Sequence, residues 1–181
     1  MSENDLGCDV HSDAKAGLAS DILEKLDSLT ATLTDADFPF SVSVPNPDLS
    51  VWELLNANHQ LAKVAWVDRN SSSAIVGLGI AADIKIKDEQ DFSQSIAQCR
   101  AILGDNSHLK FYGGFPFTGS STQWDGFGSG RFVLPRIMLS KDQLTLTVIE
   151  QSDIEQAKLD VRQMSFRPAP FDLDFPAIKS T

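Results

Sequence analysis

The hydrophobic positions change period several times along the chain, and each change marks an element. Ile22, Leu26, Leu29 and Leu33 fall at i, i+4, i+7 and i+11, which is one face of a helix, so a helix is predicted over 14–33. Residues 38–44 alternate apolar and small polar side chains and then meet Pro45 and Pro47, the pattern of a short strand ended by prolines. Asp48 or Ser50 stands where a cap is wanted for a short helix carrying Val51, Trp52, Leu54 and Leu55.

Two β-prone runs follow, 61–68 and 74–86, separated by the polar turn 70–73, which predicts a hairpin. Asp88 opens an acidic turn, and Phe92, Ile96, Cys99 and Leu103 then recur at helical spacing, with Gly104 placed to stop the helix. Residues 109–139 read as strand, loop, strand: an aromatic run 109–117, a Gly-, Ser- and Thr-rich loop, and an apolar run 131–139. Trp124 and Phe127 sit in that loop, and burying each is worth about 2–3 kcal/mol. The loop is therefore expected to fold back so that Phe115, Phe117, Trp124, Phe127 and Phe132 bury against one another or against one sheet face. A turn at 140–143, an alternating strand at 144–149 and a helix from Asp153 to about Met164 complete the pattern.

Strands joined by short turns are antiparallel. The predicted fold class is α+β, an antiparallel sheet with helices packed on one face. Residues 1–13 are acidic and polar and are expected to form a disordered tail. Residues 14–167 form a single α+β domain, and 168–181, which hold several prolines without a clear period, form an extended linker.

Charge and cysteine content narrow the partners. The 181 residues carry a formal net charge of −10, without the basic footprint that nucleic-acid binding requires and without attraction for anionic lipid. No apolar run approaches a membrane span, and the polar N-terminus lacks the features of a signal peptide. Cys8 and Cys99 do not make a disulfide framework, which favours a reducing compartment, and a cytoplasmic location is expected.

Residue by residue, the chain offers a scaffold and no reaction centre. Gly77-Leu-Gly79-Ile-Ala-Ala82 fits a loose dinucleotide fingerprint, but a strand pattern follows where that motif needs a helix. Its glycines are expected to bend a strand or to admit a neighbouring backbone. Gly113 and Gly114 are expected in a bulge or turn rather than around an anion. His11, His59 and His108 have no metal-ligand spacing, and no Gly-x-Ser-x-Gly elbow occurs. Arg131 and Arg136 flank an apolar strand. They could face a ligand carboxylate, but ordinary arginines at a strand end, with their heads in water, are expected.

Phe-Tyr-Gly-Gly-Phe-Pro-Phe, then Trp124 and Phe127, then Arg-Phe-Val-Leu-Pro-Arg-Ile-Met-Leu resembles the N-terminal region of chorismate-utilising enzymes, most closely isochorismate synthases of the menaquinone type. The likeness extends back through Val67 to Ala82 and forward to about Phe166. It implies one side of a layered α/β sandwich in an enzyme that converts chorismate to isochorismate with Mg²⁺. The family's general base is a lysine in a Lys-Val-Val-Leu-Ala-Arg-like segment. Its general acid and metal ligands are glutamates of the C-terminal half. No such segment occurs among residues 1–181, and Lys63 and Lys158 lack its neighbours, so no catalytic, cofactor-binding or metal-binding residue is assigned here. The expectation is an inactive N-terminal half, partnered by a C-terminal catalytic half and able to form a homodimer when alone. A salicylate or anthranilate synthase, or a free-standing binding module, are the alternatives.

Overall fold

The computed structural model describes residues 10–67, 74–86, 92–115 and 129–166. Among them six strands form one antiparallel sheet. They are β1 (Phe40–Pro45), β2 (Lys63–Val67), β3 (Ala74–Ile86), β4 (Tyr112–Gly114), β5 (Gly130–Leu139) and β6 (Gln143–Val148). Their order is β1-β6-β5-β3-β2, with β4 added alongside β5. Four helices accompany them: α1 (Val10–Thr30), α2 (Val51–Ala57), α3 (Phe92–Leu103) and α4 (Ile154–Gln163). The chain is thus α+β with an antiparallel sheet, as its patterning predicts.

The main core lies between the sheet and α1, α2 and α4. Leu18, Ile22 and Leu26 of α1, Leu54 of α2, and Ala157 and Val161 of α4 meet Val42, Val76, Leu78, Ile137, Leu139 and Leu146 of the sheet. Registers explain why these residues share a face: Val42 stands opposite Leu146, Leu146 opposite Ile137, and Ile137 opposite Leu78. Period-two alternation sends that whole row to one side. α3 packs at the far end of β3, where Ile84, Ile86, Cys99, Leu109 and Leu134 are buried.

Local sequence accounts for several boundaries. Ser50, in extended conformation, accepts a hydrogen bond from the N–H of Glu53 and so caps α2. Gly104 ends α3 at φ +53, its N–H bonded to the Arg100 carbonyl. Asn58 is wholly buried: its amide nitrogen donates to the carbonyls of Leu54 and Ser165, and its oxygen accepts from the Ser165 N–H. One side chain thereby ties the end of α2 to the segment after α4, and every polar atom it hides has a partner.

Four expectations need adjustment. α1 begins at Val10, inside the stretch assigned to the tail. Within the described part of the aromatic run, residues 109–115, the strand is Tyr112–Gly114 alone, because Leu109 is drawn into the core ahead of it. β6 is buried on both faces, Thr145 and Thr147 included, so its alternating pattern does not mark a half-solvated strand. Phe115 is not buried among the other aromatics. It remains 49% exposed and sets its ring edge-on to Phe92 of α3, with centroids 4.8 Å apart. Phe132 is half-buried. Phe117, Trp124, Phe127, the turn 70–73 and the proposed linker 168–181 lie outside the described residues.

Candidate functional site

The two arginines singled out in the sequence are both committed to carboxylates of the chain. Arg131 forks onto Asp83 of β3, with Nε–Oδ1 at 2.7 Å and Nη2–Oδ2 at 3.0 Å, and that hydrogen-bonded contact raises the guanidinium pKa. Arg136 is not a solvated strand end: only 2% of it is exposed. Its Nη1 and Nη2 reach the two Asp153 oxygens at 2.6 Å each. Its Nε reaches Asp160 at 3.1 Å, and Nη1 also donates to the Thr147 carbonyl at 2.7 Å. The physical reason is the irregular pairing beside it. The β3–β5 register slips between Ile80 and Ala82, Gly79 takes φ +66, and residues 134–137 are all buried. Arg136 is thereby directed into the structure, where an unpaired charge would be untenable and two aspartates are supplied. Asp153 and Asp160 were missed in the sequence. Their spacing of two helical turns, opposite a lone arginine in an apolar strand, is the signal that could have found them.

The Gly77-x-Gly79 pair belongs to the same arrangement and lies within β3. A Cβ on Gly77 would sit 2.6 Å from both Pro135 and Val64, and one on Gly79 would sit 3.2 Å from Arg136 Cβ. Gly113 likewise lies against β5: an added Cβ would be 1.9 Å from the Arg131 carbonyl oxygen. Its role is close approach within a paired strand, not a bulge or turn.

The other face of the sheet carries the site with the most chemical character. Alternation places Ser43 of β1 beside Thr145 of β6, their hydroxyls 2.9 Å apart, and Met138 of β5 next in the row. Tyr112 of β4 donates its hydroxyl to the Met138 sulfur at 3.4 Å, and burial pushes its phenol above the ordinary range. The segment after α3 forms a wall. The Asn106 side-chain oxygen accepts from the N–H groups of His108 and Leu109, and Leu109 is buried. His108 and Lys110, on either side of that anchor, are exposed and line a cavity of about 500 Å³. Ile75, Ser41 and Gln143 contribute to its lining. A second, more open concavity between α1 and the end of β1 is edged by Asp21, Glu24 and Lys25, and there Lys25 already donates to the Ser43 carbonyl.

The remaining candidates stay apart. His59 is exposed just beyond α2, His11 lies in α1, and Cys8 is outside the described residues. Cys99 is a buried free thiol whose pKa is raised by that burial. Lys63 is exposed on β2, and Lys158 bridges Asp27 of α1 and Glu155, which raises its pKa. Among the described residues no group of three His, Cys, Asp or Glu side chains could hold a metal ion. Asp153 and Asp160, the best-placed carboxylate pair, are both engaged by Arg136. The residues described thus do not fit a Mg²⁺ site. Among the described residues no helix is long and apolar enough to cross a membrane.

Comparisons with known proteins bear on this scaffold. A family model described as "Chorismate binding enzyme" matches residues 26–165. No curated protein matches the chain. Among solved structures, MenF, the menaquinone-specific isochorismate synthase from Escherichia coli, is similar with a TM-score of 0.53 and 22% sequence identity. The match covers 81% of this chain and 35% of that one, so the chain spans about a third of the enzyme whose fold it shares.

Proposed function

The chain belongs to the chorismate-binding enzymes, and from that premise we propose that it is the N-terminal, scaffolding half of an isochorismate synthase of the menaquinone type. The observation that carries this reading is the coincidence of the family match over 26–165 with a fold shared with a menaquinone-specific isochorismate synthase. The aromatic Gly-Gly strand and the Phe-Val-Leu-Pro-Arg strand add to it, since β4 and the start of β5 lie paired in the sheet.

The reaction isomerises chorismate: water adds at one ring carbon and hydroxide leaves from another, with no net change in atoms. Water attack wants a base and hydroxide departure an acid, each with its pKa set by its surroundings. Neither arginine is free to take part, and the described residues do not fit Mg²⁺. In this reading the base, the acid, the Mg²⁺ ligands and the chorismate contacts belong to a C-terminal half that closes on this one in the cytoplasm. The 181-residue chain alone is inactive and associates as a homodimer.

The test is to assay isochorismate formation from chorismate and Mg²⁺ with this chain alone, and with the polypeptide encoded immediately downstream joined to it. Activity in the joined protein only is expected. Turnover by the chain alone would overturn the scaffold reading. Salicylate or anthranilate as the product would assign the chain to another chorismate-utilising enzyme. The absence of any coding sequence downstream would leave a free-standing binding module.

A further inference from the structure

The two sides of β3 are unequally paired. β5 runs along one side as far as Ile86. β2 covers the other side only from Ala74 to Leu78, with one further bond from the Gly79 N–H to the Ala62 carbonyl. From Ile80 to Ile86, among the described residues, no strand pairs with β3 on that side. Every second residue there turns its backbone N–H and carbonyl outward, and such an edge recruits a strand. The two faces beside this edge also differ. Ile84 and Ile86 are buried, whereas Asp83 and Lys85 are exposed. A strand that fits is therefore apolar on one side and polar on the other.

The chain after α4 arrives beside the same edge. Asn58 holds Ser165 by both backbone groups, the N–H on Oδ1 at 2.7 Å and the carbonyl on Nδ2 at 2.9 Å, and Phe166 is buried. Gln60 also donates to the Gln163 carbonyl at 3.3 Å. The Leu61 N–H closes the 58–61 turn onto the Asn58 carbonyl, and Ala62 meets Gly79 immediately after it. Phe166 is thus anchored next to the turn that leads into β2, close to where β2 stops covering β3.

Residues 167–181 continue from that anchor. Within them 171–175, Phe-Asp-Leu-Asp-Phe, alternate apolar and acidic side chains with the period of a strand. Pro168, Pro170 and Pro176 flank the run and stand outside it, where they remove no ladder hydrogen bond. The four residues 167–170 span up to about 14 Å when extended, and the step along β3 from Gly79 to Ala82 is about 10 Å. Phe171 therefore reaches the level of Ala82, and 171–175 match 82–86 one for one. In that register Leu173 and Phe175 stand beside Ile84 and Ile86. Asp174 stands beside Lys85, whose ammonium has only a 3.9 Å contact with Asp83, a carboxylate already forked by Arg131.

From this arrangement we infer that residues 171–175 dock in cis on the free edge of β3, parallel to 82–86, and extend the sheet by one strand. The direction follows from the anchor, since a chain that starts near Gly79 and extends toward Ile86 runs the way β3 runs. The added strand continues the column of β2 and leaves the outer edge of β2 open. The inference rests on this edge and this segment and not on the enzymatic reading above.

The experiment is amide hydrogen exchange and methyl NOE measurement by NMR on the full 181-residue chain. Alternate amides within 171–175 should exchange roughly a hundredfold more slowly than in an unstructured peptide, and the Leu173 methyls should show NOEs to Ile84 and Ile86. Leu173→Asp should abolish both, and it should speed exchange at those amides of 82–86 that turn away from β5. Unchanged shifts in β1 and β6 would show that the rest of the fold is kept. Asp172→Asn, on the polar side, should preserve the protection. The inference fails if 171–175 exchange at the rate of an unstructured peptide, or if the Leu173 NOEs lead to β2 instead. It also fails if Leu173→Asp leaves exchange in 82–86 as in the parent chain, or if Asp172→Asn is as disruptive as Leu173→Asp.

Discussion

Arg136 and Asp153 form a forked ion pair, Nη1–Oδ2 and Nη2–Oδ1 both at 2.6 Å, that joins the middle of the sheet to the residue just before α4. Asp153 also accepts from the Ile149 N–H, so a single carboxylate fixes the end of β6, the start of α4 and the guanidinium between them. Such a buried pair adds little net stability against an apolar replacement, but breaking it from one side strands a charge. Asp153→Ala is expected to destabilise the chain by about 3–5 kcal/mol, read as a lower urea midpoint. Asp160→Asn, which keeps a hydrogen-bonding oxygen near Arg136 Nε, should cost clearly less. Equal losses in the two variants would mean that the fork carries no special weight.

The glycine pair of β4 gives a second prediction with its own control. Gly113→Ala must push a Cβ into the Arg131 carbonyl, and Gly114→Ala meets nothing within 4 Å. Overpacking against backbone costs about 1–3 kcal/mol, so Gly113→Ala should lower the thermal midpoint and Gly114→Ala should leave it near the parent value. A neutral Gly113→Ala would show that β4 separates from β5 in solution.

These two cases also mark what the sequence makes legible. The long β3 could be read because an apolar run, 74–82, passes directly into strand alternation up to Ile86, the bounds observed. α3 and the Gly104 stop were readable because spacing and cap agree. Arg136 was not readable as a buried residue. Its burial depends on a register slip in the neighbouring strand and on two aspartates contributed by a later helix, both non-local in sequence. β4 came out shorter than its aromatic run because Leu109 is claimed by the core near α3, a tertiary demand that overrides strand propensity. The cavity was invisible for the same reason. His108 and Lys110 come from a loop, Ser43 from β1, Thr145 from β6, and only the sheet order brings them together.

Alkaline pH should loosen the chain through a buried thiol and a half-buried phenol. Burial raises the Cys99 thiol above the ordinary 9.0 and the Tyr112 phenol above the ordinary 10.0. A group whose folded pKa lies above its unfolded value contributes stability in full below the unfolded pKa and loses it as pH rises through the folded one. The urea midpoint should therefore hold to about pH 9, fall first as the thiol titrates, and fall again above pH 10 with the phenol. Tyr112 is the only tyrosine, so phenolate absorbance follows it alone. Tyr112→Phe should shrink the second fall, to which the raised Lys158 ammonium also contributes, and leave the first. A midpoint that is flat across this range in the parent chain would contradict both shifts.

The two edges of the sheet differ in how they are guarded, and that difference directs self-association. At β1, Lys25 of α1 donates to the outward Ser43 carbonyl and Pro45 ends the strand. At β2, Trp66 is 60% and Val67 54% exposed. The Gly79 N–H bonds the Ala62 carbonyl and Lys63 stands opposite Leu78, so strand alternation turns the backbone groups of Val64 and Trp66 toward β3. Those of Lys63, Ala65 and Val67 point away, and among the described residues no strand pairs with them. An unpaired, apolar edge of this kind recruits another strand. A two-fold antiparallel pairing centred on Ala65 satisfies all three outward residues. It sets Val64 against the partner subunit's Trp66, a favourable β-branched–aromatic cross-strand pair, with no like charges opposed. Sedimentation over a concentration series should show a dimer that forms with rising concentration. Ala65→Pro removes only an outward-facing N–H, so the monomer should stay folded by circular dichroism and the dimer should vanish. A parent chain that is monomeric at hundreds of micromolar, or an Ala65→Pro variant that dimerises unchanged, would exclude this edge as the contact.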